Sequence, residues 1–591
     1  MDENDHSDIG KPMRDTAAYL WPYLWRYRRS LLRGMGALVV KDLLAAAQPL
    51  LIGAGVDALV QGFSLRVVLL FAAVLISLSA VKGIFQYWMR VILIGMSRDI
   101  EFDLRNDFFA HLLRLPPEYF ARHRTGDIMA RATNDLNAVR MMLGPGVMYW
   151  TETMFTFLFA ISVMAWVDWR LTLLALLPAP LISGVVVLFG RYIHERFERI
   201  QQMFADISSR VQETLAGVRV IRAYVQEKAE MAEFERLNRE FIRENIRLAR
   251  TSGLFMPLLQ ALVGLGFLIV LWAGGMRLLD ARISAGNFVM FYSYMGMLIW
   301  PMIALGWVVN LMQRGQASLG RIREVMTELP SIATPLQPKG RGAVRGEIEF
   351  QAAEVSWGAT AALRGVDLKI SAGSTVAIVG HTGSGKTTLV RLIPRLLDVT
   401  SGAVLVDGID VRQWDLKDLR SSIGFVPQET FLFSATLAEN IAFGVEHASR
   451  DEIRRAAEMA GLGPDLERLP KGLDTVVGER GITLSGGQQQ RTAIARALLR
   501  NPRILILDDA LSSVDTMTEE RILNQLSALM KDRTTILISH RVSTVRHADR
   551  IYVLENGVIA EEGTHDELVG LGGYYADLYE KQLLEEELEA I

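Results

Sequence analysis

The stretch ILILDDALSSVD, Ile504 to Asp515, drives four aliphatic residues into two adjacent carboxylates, Asp508 and Asp509. A wholly apolar run of this length reads as a strand buried on both faces, and open α/β sheets hold their ligands beyond the carboxyl ends of such strands. A second stretch, AIVGHTGSGKTTLVRLI, carries G-x-x-x-x-G-K-T from Gly380 to Thr387, between the apolar run Val376–Val379 and an apolar-periodic helix. Its glycines let backbone amides close around phosphates, Lys386 reaches the terminal phosphates, and the Thr387 hydroxyl suits Mg²⁺. Strand before and helix after make the match far stronger than the bare pattern. Asp508, ending its own strand, offers the oxygen that a hard divalent cation needs, usually through water. The chemistry implied is the binding of a nucleoside triphosphate with Mg²⁺.

These groups need an α/β domain to position them, and from Gly346 onward the sequence alternates short strands and helices as such a domain must. A linker punctuated by Pro330, Pro335, Pro338, Gly340 and Gly342 precedes it. Upstream of the linker, six stretches approach the ~20 apolar residues of a bilayer-crossing helix: Leu31–Leu59, Val67–Trp88, Gly144–Val167, Leu171–Gly190, Leu254–Met276 and Phe288–Met312. The connections Met89–Leu143 and Arg191–Gly253 are long, charged and helix-patterned, and they hold most of the arginines of this half. By the positive-inside tendency they are cytoplasmic, as are both chain ends. The expected division is a tail and interfacial elbow helix over 1–29, a six-helix transmembrane domain with long cytoplasmic helical extensions over 30–328, a linker over 329–345, a nucleotide domain over 346–580, and an acidic tail over 581–591 that contacts solvent.

Charges also fall inside the spans: Lys41, Asp42 and Asp57 in the first, Lys82 in the second, Glu152 in the third. Each costs about 2.5–3.5 kcal/mol at a helix centre, so they should pair, face a cavity or lie near an interface. Lys41 and Asp42, adjacent on a helix, point in different directions and form no obvious pair. Glu152 either faces a substrate cavity or makes a hydrogen bond between helices.

Composition agrees with a membrane part joined to a water-soluble part. Of 591 residues half are hydrophobic, yet 22% are charged, and the mean hydropathy is +0.22. A net charge of −3 argues against nucleic acid as a partner. The absence of cysteine removes disulfides and thiolate metal sites. The acidic opening Met-Asp-Glu-Asn-Asp-His has neither the order of a secretory signal nor the Arg-rich character of a mitochondrial presequence.

The most restrictive motif is TLSGGQQQRTAIARALL, where Leu484, Ser485, Gly486, Gly487 and Gln488 precede a helix. It resembles the signature of ATP-binding cassette (ABC) proteins. Other landmarks of that family follow in order: Gln428 in IGFVPQETFLFSATLAENI, VVGERG at Val476–Gly481, SSVD at Ser512–Asp515, and His540 in ILISHR. In the membrane half, Glu118–Arg140 and Glu213–Glu227 are similar to cytoplasmic loops of exporter half-transporters. Essentially the whole chain resembles a bacterial multidrug-type ABC half-transporter.

The resemblance implies roles residue by residue. Trp357 would stack on adenine, its alternative being a core aromatic beside a strand. Gly380, Gly383, Ser384, Gly385, Lys386, Thr387 and Thr388 would hold phosphates, with Thr387, Asp508 and Gln428 around Mg²⁺, and His540 would touch the γ-phosphate. Ser485, Gly486, Gly487, Gln488 and Asp515 would serve ATP held by an opposite subunit. The long cytoplasmic helices would turn near Pro116–Arg124 and Gln212–Arg219 and couple ATP to alternating access.

The family usually places Glu where this chain has Asp509, the residue that polarises the attacking water. Aspartate ends one methylene short, roughly 1.5 Å, and about 1 Å of misplacement can cost on the order of 100-fold. In that family such a substitution is typical of one member of a heterodimeric exporter, and LDDALSSVD resembles the MdlA-like member of MdlA/MdlB-type pairs. The resemblance therefore implies ATP-driven export of hydrophobic or amphipathic compounds, drug-like, lipid or peptide, across the bacterial cytoplasmic membrane. The partner would be a second half-transporter carrying the catalytic Glu. The alternatives are a homodimer with two slow sites and a nucleotide-gated regulator or channel.

Overall fold

Helix-patterned sequence before residue 327 and strand-helix alternation after residue 347 give the chain two different interiors. A computed structural model describes residues 11–358, 360–478, 481, 483–512, 518–519, 521–523 and 532–589. It divides into two compact units. The first runs to Glu328 but omits Leu113–His123; the second comprises Leu113–His123 and the chain from Leu329. The short helix Pro117–Arg122 thus belongs with the second unit, although the surrounding 30–328 segment does not.

The first unit is helical. Among the described residues five helices are long and apolar enough to cross a membrane: Arg28–Gln61, Leu65–Leu112, Thr125–Leu176, Glu227–Leu279 and Ala285–Met326. Their apolar faces are largely uncovered, with Ile76 70% and Trp166 85% exposed. Water would not tolerate so much continuous apolar surface, whereas lipid would. The expected span Leu171–Gly190 is not one helix, because the chain turns at Leu177–Pro178. Pro178 and Pro180 have no N–H to give the preceding turn, so although Leu177 is itself helical its amide reaches only Leu174 O, at 3.2 Å, and averaging hydropathy across the turn hides this. The helix that follows, Ala179–Ala216, is apolar only as far as Gly190, before Arg191. A second break lies at Asp168, whose backbone is extended and whose carboxylate accepts from the amides of Arg170 and Leu171, each at 3.0 Å, restarting the helix. The second cytoplasmic-type turn runs further than Gln212–Arg219, through the short helix Val218–Ala223 to Gln226.

The charges within the spans find partners. Lys41 Nζ lies 2.7 Å from Asp42 Oδ1 and 2.5 Å from Glu152 Oε1. The expectation that Lys41 and Asp42 do not pair is therefore corrected: Cβ atoms of neighbours diverge, but a lysine is long enough to fold its ammonium back. Glu152 takes the interhelical role through the same ammonium. Asp57 accepts from Gly286 N at 2.6 Å and Ser284 Oγ at 2.6 Å, capping the helix Ala285–Met326 from another helix. Lys82 donates to Gln48 Oε1 at 3.0 Å.

Among the described residues the second unit contains ten strands: β1 Ile348–Trp357, β2 Thr360–Ile370, β3 Thr375–Val379, β4 Ser401–Val406, β5 Ile409–Asp410, β6 Ile423–Val426, β7 Ile504–Asp508, β8 Thr534–Ile538, β9 Arg550–Glu555 and β10 Val558–Gly563. One sheet has the order β2-β1-β4-β5 and is antiparallel. The other has the order β10-β9-β3-β8-β7-β6 and is parallel from β9 to β6. Side chains alternate across this parallel sheet. Ala377, Val379, Leu505 and Leu507 enter a core with Leu437, Ile453 and Ile494 from helices, whereas Val376, Ile378, Ile504 and Ile506 enter a core shared with Phe350, Leu363 and Leu389. A strand covered on both faces needs an unbroken apolar run, which is why β7 reads ILIL. The closing helix Tyr574–Glu589 buries Tyr575 completely in the first of these cores. Its Gln582 is hydrogen-bonded to the β8 loop, so the expected tail over 581–591 does not simply contact solvent.

Candidate functional site

The register of the parallel strands gathers the chemistry. Ile378 pairs with Ile538, Asp508 with Ile538, and Val426 with Leu507, so β3, β8, β7 and β6 end at one edge. Each then emits its motif within two residues: the phosphate loop after Val379, Asp509 after β7, His540 after β8 and Gln428 after β6. A cavity of about 280 Å³ at that edge is lined by Trp357, Gly383, Gly385, Lys386, Thr387, Thr388, Gln428, Asp508, Asp509 and His540. Ala362, Thr382 and Ile538 complete the lining. The sequence reading missed these three, and only the position of Thr382 inside the phosphate loop signalled it. Trp357 ends β1 half-exposed, at 48%, so its ring is an accessible face rather than a core aromatic.

The phosphate loop is shaped by its glycines. Gly385 has φ of 105°, and a Cβ there would lie 2.6 Å from Ala362 O. At Gly380, φ is 150° and a Cβ would meet Leu554 O at 2.1 Å. Lys386 is buried and donates to the carbonyls of Gly380 at 2.9 Å and His381 at 2.8 Å. Burial pushes its ammonium below the ordinary lysine range, with Asp509 and Asp508 pulling the other way. Ser384 is buried, its Oγ unpartnered among the described residues.

Thr387 Oγ1 donates to Asp508 Oδ1 at 3.1 Å, while Asp508 Oδ2 is buried without a partner among the described residues. Burial raises the Asp508 pKa; the Thr387 hydroxyl, Arg391 and Lys386 offset part of this, and Asp509 adds to it. A hydroxyl beside a buried carboxylate with an unsatisfied oxygen fits an oxygen-seeking divalent cation. Asp509 turns out of β7 at φ 49°, a left-handed conformation uncommon outside glycine. Its N–H donates to Ile538 O at 3.0 Å and its carbonyl accepts from Ser512 Oγ at 3.0 Å, which fixes that turn. Burial pushes the His540 ring below the ordinary histidine range, the Lys386 charge pushes the same way, and Asp509 opposes them.

The signature lies apart from these residues: Ser485, Gly486, Gly487 and Gln488 do not line the cavity. They open the helix Gly486–Leu499 through a capping box, in which Ser485 Oγ accepts from Gln488 N at 3.3 Å and Gln488 Oε1 accepts from Ser485 N at 3.0 Å. The same helix reaches the Asp509 turn, because Gln490 Nε2 donates to Ser512 Oγ at 3.0 Å. Asp515 and the Glu479–Arg480 pair of VVGERG lie outside the described residues.

Comparison with known proteins follows this division. The family model for the ABC transporter transmembrane region matches residues 31–302, and that for ABC transporter matches residues 363–512. A probable multidrug resistance ABC transporter ATP-binding/permease protein of Bacillus subtilis, YheI, is 38% identical, covering 95% of this chain and 97% of its own. The multidrug resistance-like ATP-binding protein MdlA of Escherichia coli is also 38% identical, covering 96% and 97%. An ATP-dependent lipid A-core flippase of Syntrophus aciditrophicus is 36% identical over 86% of this chain and 84% of its own. A solved bacterial Atm1-family ABC exporter with ATP bound superposes with a TM-score of 0.77 at 27% identity, covering 94% of this chain and 98% of that one. A membrane region and a cytoplasmic ATP-hydrolysing region thus share one polypeptide, and the chain belongs to the ABC transporter family as a half-transporter of the multidrug-exporter type.

Proposed function

We propose that this chain is one subunit of a two-chain exporter that moves hydrophobic or amphipathic compounds, drug-like or lipid, by alternating access, and that its own nucleotide site hydrolyses ATP poorly. The observation that carries the reading is the separation of the signature from the cavity: Ser485–Gln488 do not touch the nucleotide site that their own chain builds. A second subunit must bring its signature to this cavity and take this one in return. The membrane part makes six crossings, with the broken segment Arg170–Gly190 as the fourth. The names of the relatives, multidrug resistance proteins and a lipid flippase, support the substrate class.

In this reading Trp357 stacks on adenine and the loop Gly380–Thr388 wraps the phosphates. Lys386 exchanges the Gly380 and His381 carbonyls for phosphate oxygens when ATP enters. Thr387, Asp508 and Gln428 would hold Mg²⁺, which would supply charge neutralisation at the terminal phosphates. His540, its pKa lowered by burial and by Lys386, presents a ring N–H to the γ-phosphate. Asp509 orients the water, and its short side chain makes this the weak step. A glutamate would extend about 1.5 Å further, within the range where roughly 1 Å changes rate on the order of 100-fold.

The test is ATPase activity of the purified chain alone and together with a second half-transporter carrying the catalytic Glu. The chain alone is expected to be nearly inactive, the pair active, and Asp509→Glu in the chain to raise hydrolysis at least tenfold. Vigorous hydrolysis by the unmodified chain as a homodimer would overturn the asymmetric reading. ATP-dependent uptake into inverted vesicles separates a transporter from a nucleotide-gated regulator, which would accumulate nothing.

A further inference from the structure

The closing helix, Tyr574–Glu589, is braced against both loops that meet the phosphates. At its start, Glu561 of β10 accepts from the amides of Tyr574 at 2.6 Å and Tyr575 at 3.3 Å, a carboxylate at a helix N-terminus. Tyr575 is fully buried and its hydroxyl meets His565 Nδ1 at 2.9 Å, so the helix is fixed in place. The Tyr574 ring packs edge-on against His381, with centroids 4.4 Å apart. His381 is the phosphate-loop residue whose carbonyl holds Lys386.

Two turns further along, one side chain grips the other loop at two points. Gln582 Nε2 donates to the His540 carbonyl at 2.6 Å, and Gln582 Oε1 accepts from Val542 N at 2.7 Å. The Val542 amide opens the short helix Val542–Val545 and has no partner within it. A carboxamide matches a carbonyl and an amide placed two residues apart, because it offers one donor and one acceptor on a planar group. The carbonyl of His540 itself and the amide two residues on are thereby tied to the closing helix.

We propose that Gln582 is a positioning residue for ATP hydrolysis, holding the β8 loop so that the His540 ring stays at the γ-phosphate end of the cavity. This rests on the reading of His540 as the residue that meets the terminal phosphate. Removing the carboxamide frees the loop without touching the nucleotide, so turnover falls and ATP binding does not. Alanine at position 582 favours the helix, so the substitution leaves the brace itself intact.

The experiment uses the full-length chain carrying Asp509→Glu, with Gln582→Ala, Gln582→Glu or His540→Ala added. Gln582→Ala should lower kcat on the order of tenfold with KM for ATP unchanged, and should speed hydrogen exchange at the Val542 amide. Gln582→Glu, which keeps the acceptor for Val542 but loses the donor to His540, should lower kcat while leaving the Val542 amide protected. If His540→Ala lowers turnover and Gln582→Ala does not, the positioning role is overturned while the reading of His540 stands. If His540→Ala leaves turnover unchanged, that reading fails and takes this inference with it. Unchanged Val542 exchange in Gln582→Ala would equally overturn it.

Discussion

His540 shows how burial and charge at one ring become a property of the whole unit. Desolvation and the neighbouring Lys386 depress its pKa, with Asp509 opposing them. The unfolded chain binds that proton near the ordinary value of about 6.5. Below that value the unfolded state therefore binds more protons than the folded one, and stability falls as pH falls. Above it, the contribution is constant. Thermal unfolding followed from pH 7.5 to 5 should decline less steeply for His540→Asn than for the parent chain, and equal slopes would show that the ring is as easily protonated folded as unfolded. Lys386, buried in the same cluster, is held by two backbone carbonyls that satisfy its protons there.

At the level of elements, helix contacts depend on glycines that sequence reading does not rank. A Cβ on Gly286 would lie 2.0 Å from Gly53 O and 2.5 Å from Asp57 Cγ, so the helices Arg28–Gln61 and Ala285–Met326 touch through backbone. Gly286→Ala must push them apart and weaken the Asp57 cap, at a cost of about 1–3 kcal/mol. Gly83→Ala, where a Cβ meets nothing within 4 Å, is the control and should leave thermal stability in detergent unchanged or raised. Equal melting of the two variants would show that the Gly53–Gly286 approach does not matter to stability. What the sequence made legible follows the same divide between local and remote. The phosphate loop and the ILIL strand were legible because their chemistry is written in consecutive residues. The break at Leu177–Pro178 was not, because a hydropathy window averages across a turn. The Asp57 cap was not, because its partners Ser284 and Gly286 come from a helix far along the chain. Gln582 was hidden for a similar reason, since an acidic, helical composition carries no trace of which single amide meets a loop.

For the assembled molecule, Asp509 and the signature offer a way to separate a homodimer from a heterodimer without knowing the substrate. In a homodimer both nucleotide sites contain this chain's Asp509 and this chain's Ser485–Gln488, so substitutions at either place strike every site. In a heterodimer the two groups serve different sites: Asp509 acts at the site built on this chain's phosphate loop, and the signature acts at the site built on the partner's. Gly487→Asp puts a carboxylate where ATP phosphates must approach, so it should remove most turnover of the pair, on the order of 100-fold or more. Asp509→Asn, at a site proposed to hydrolyse poorly, should cost the pair less than about threefold, well short of the effect expected of a functioning general base. The measurement is ATPase activity of the co-purified pair with each substitution confined to this chain. Comparable losses would place both residues at the same working sites and turn the conclusion toward two equivalent, slow sites. Unequal losses in the expected direction would mean that this chain contributes its signature to hydrolysis and its phosphate loop chiefly to holding ATP. That division matches a fold in which the signature opens a helix away from the cavity its own chain forms.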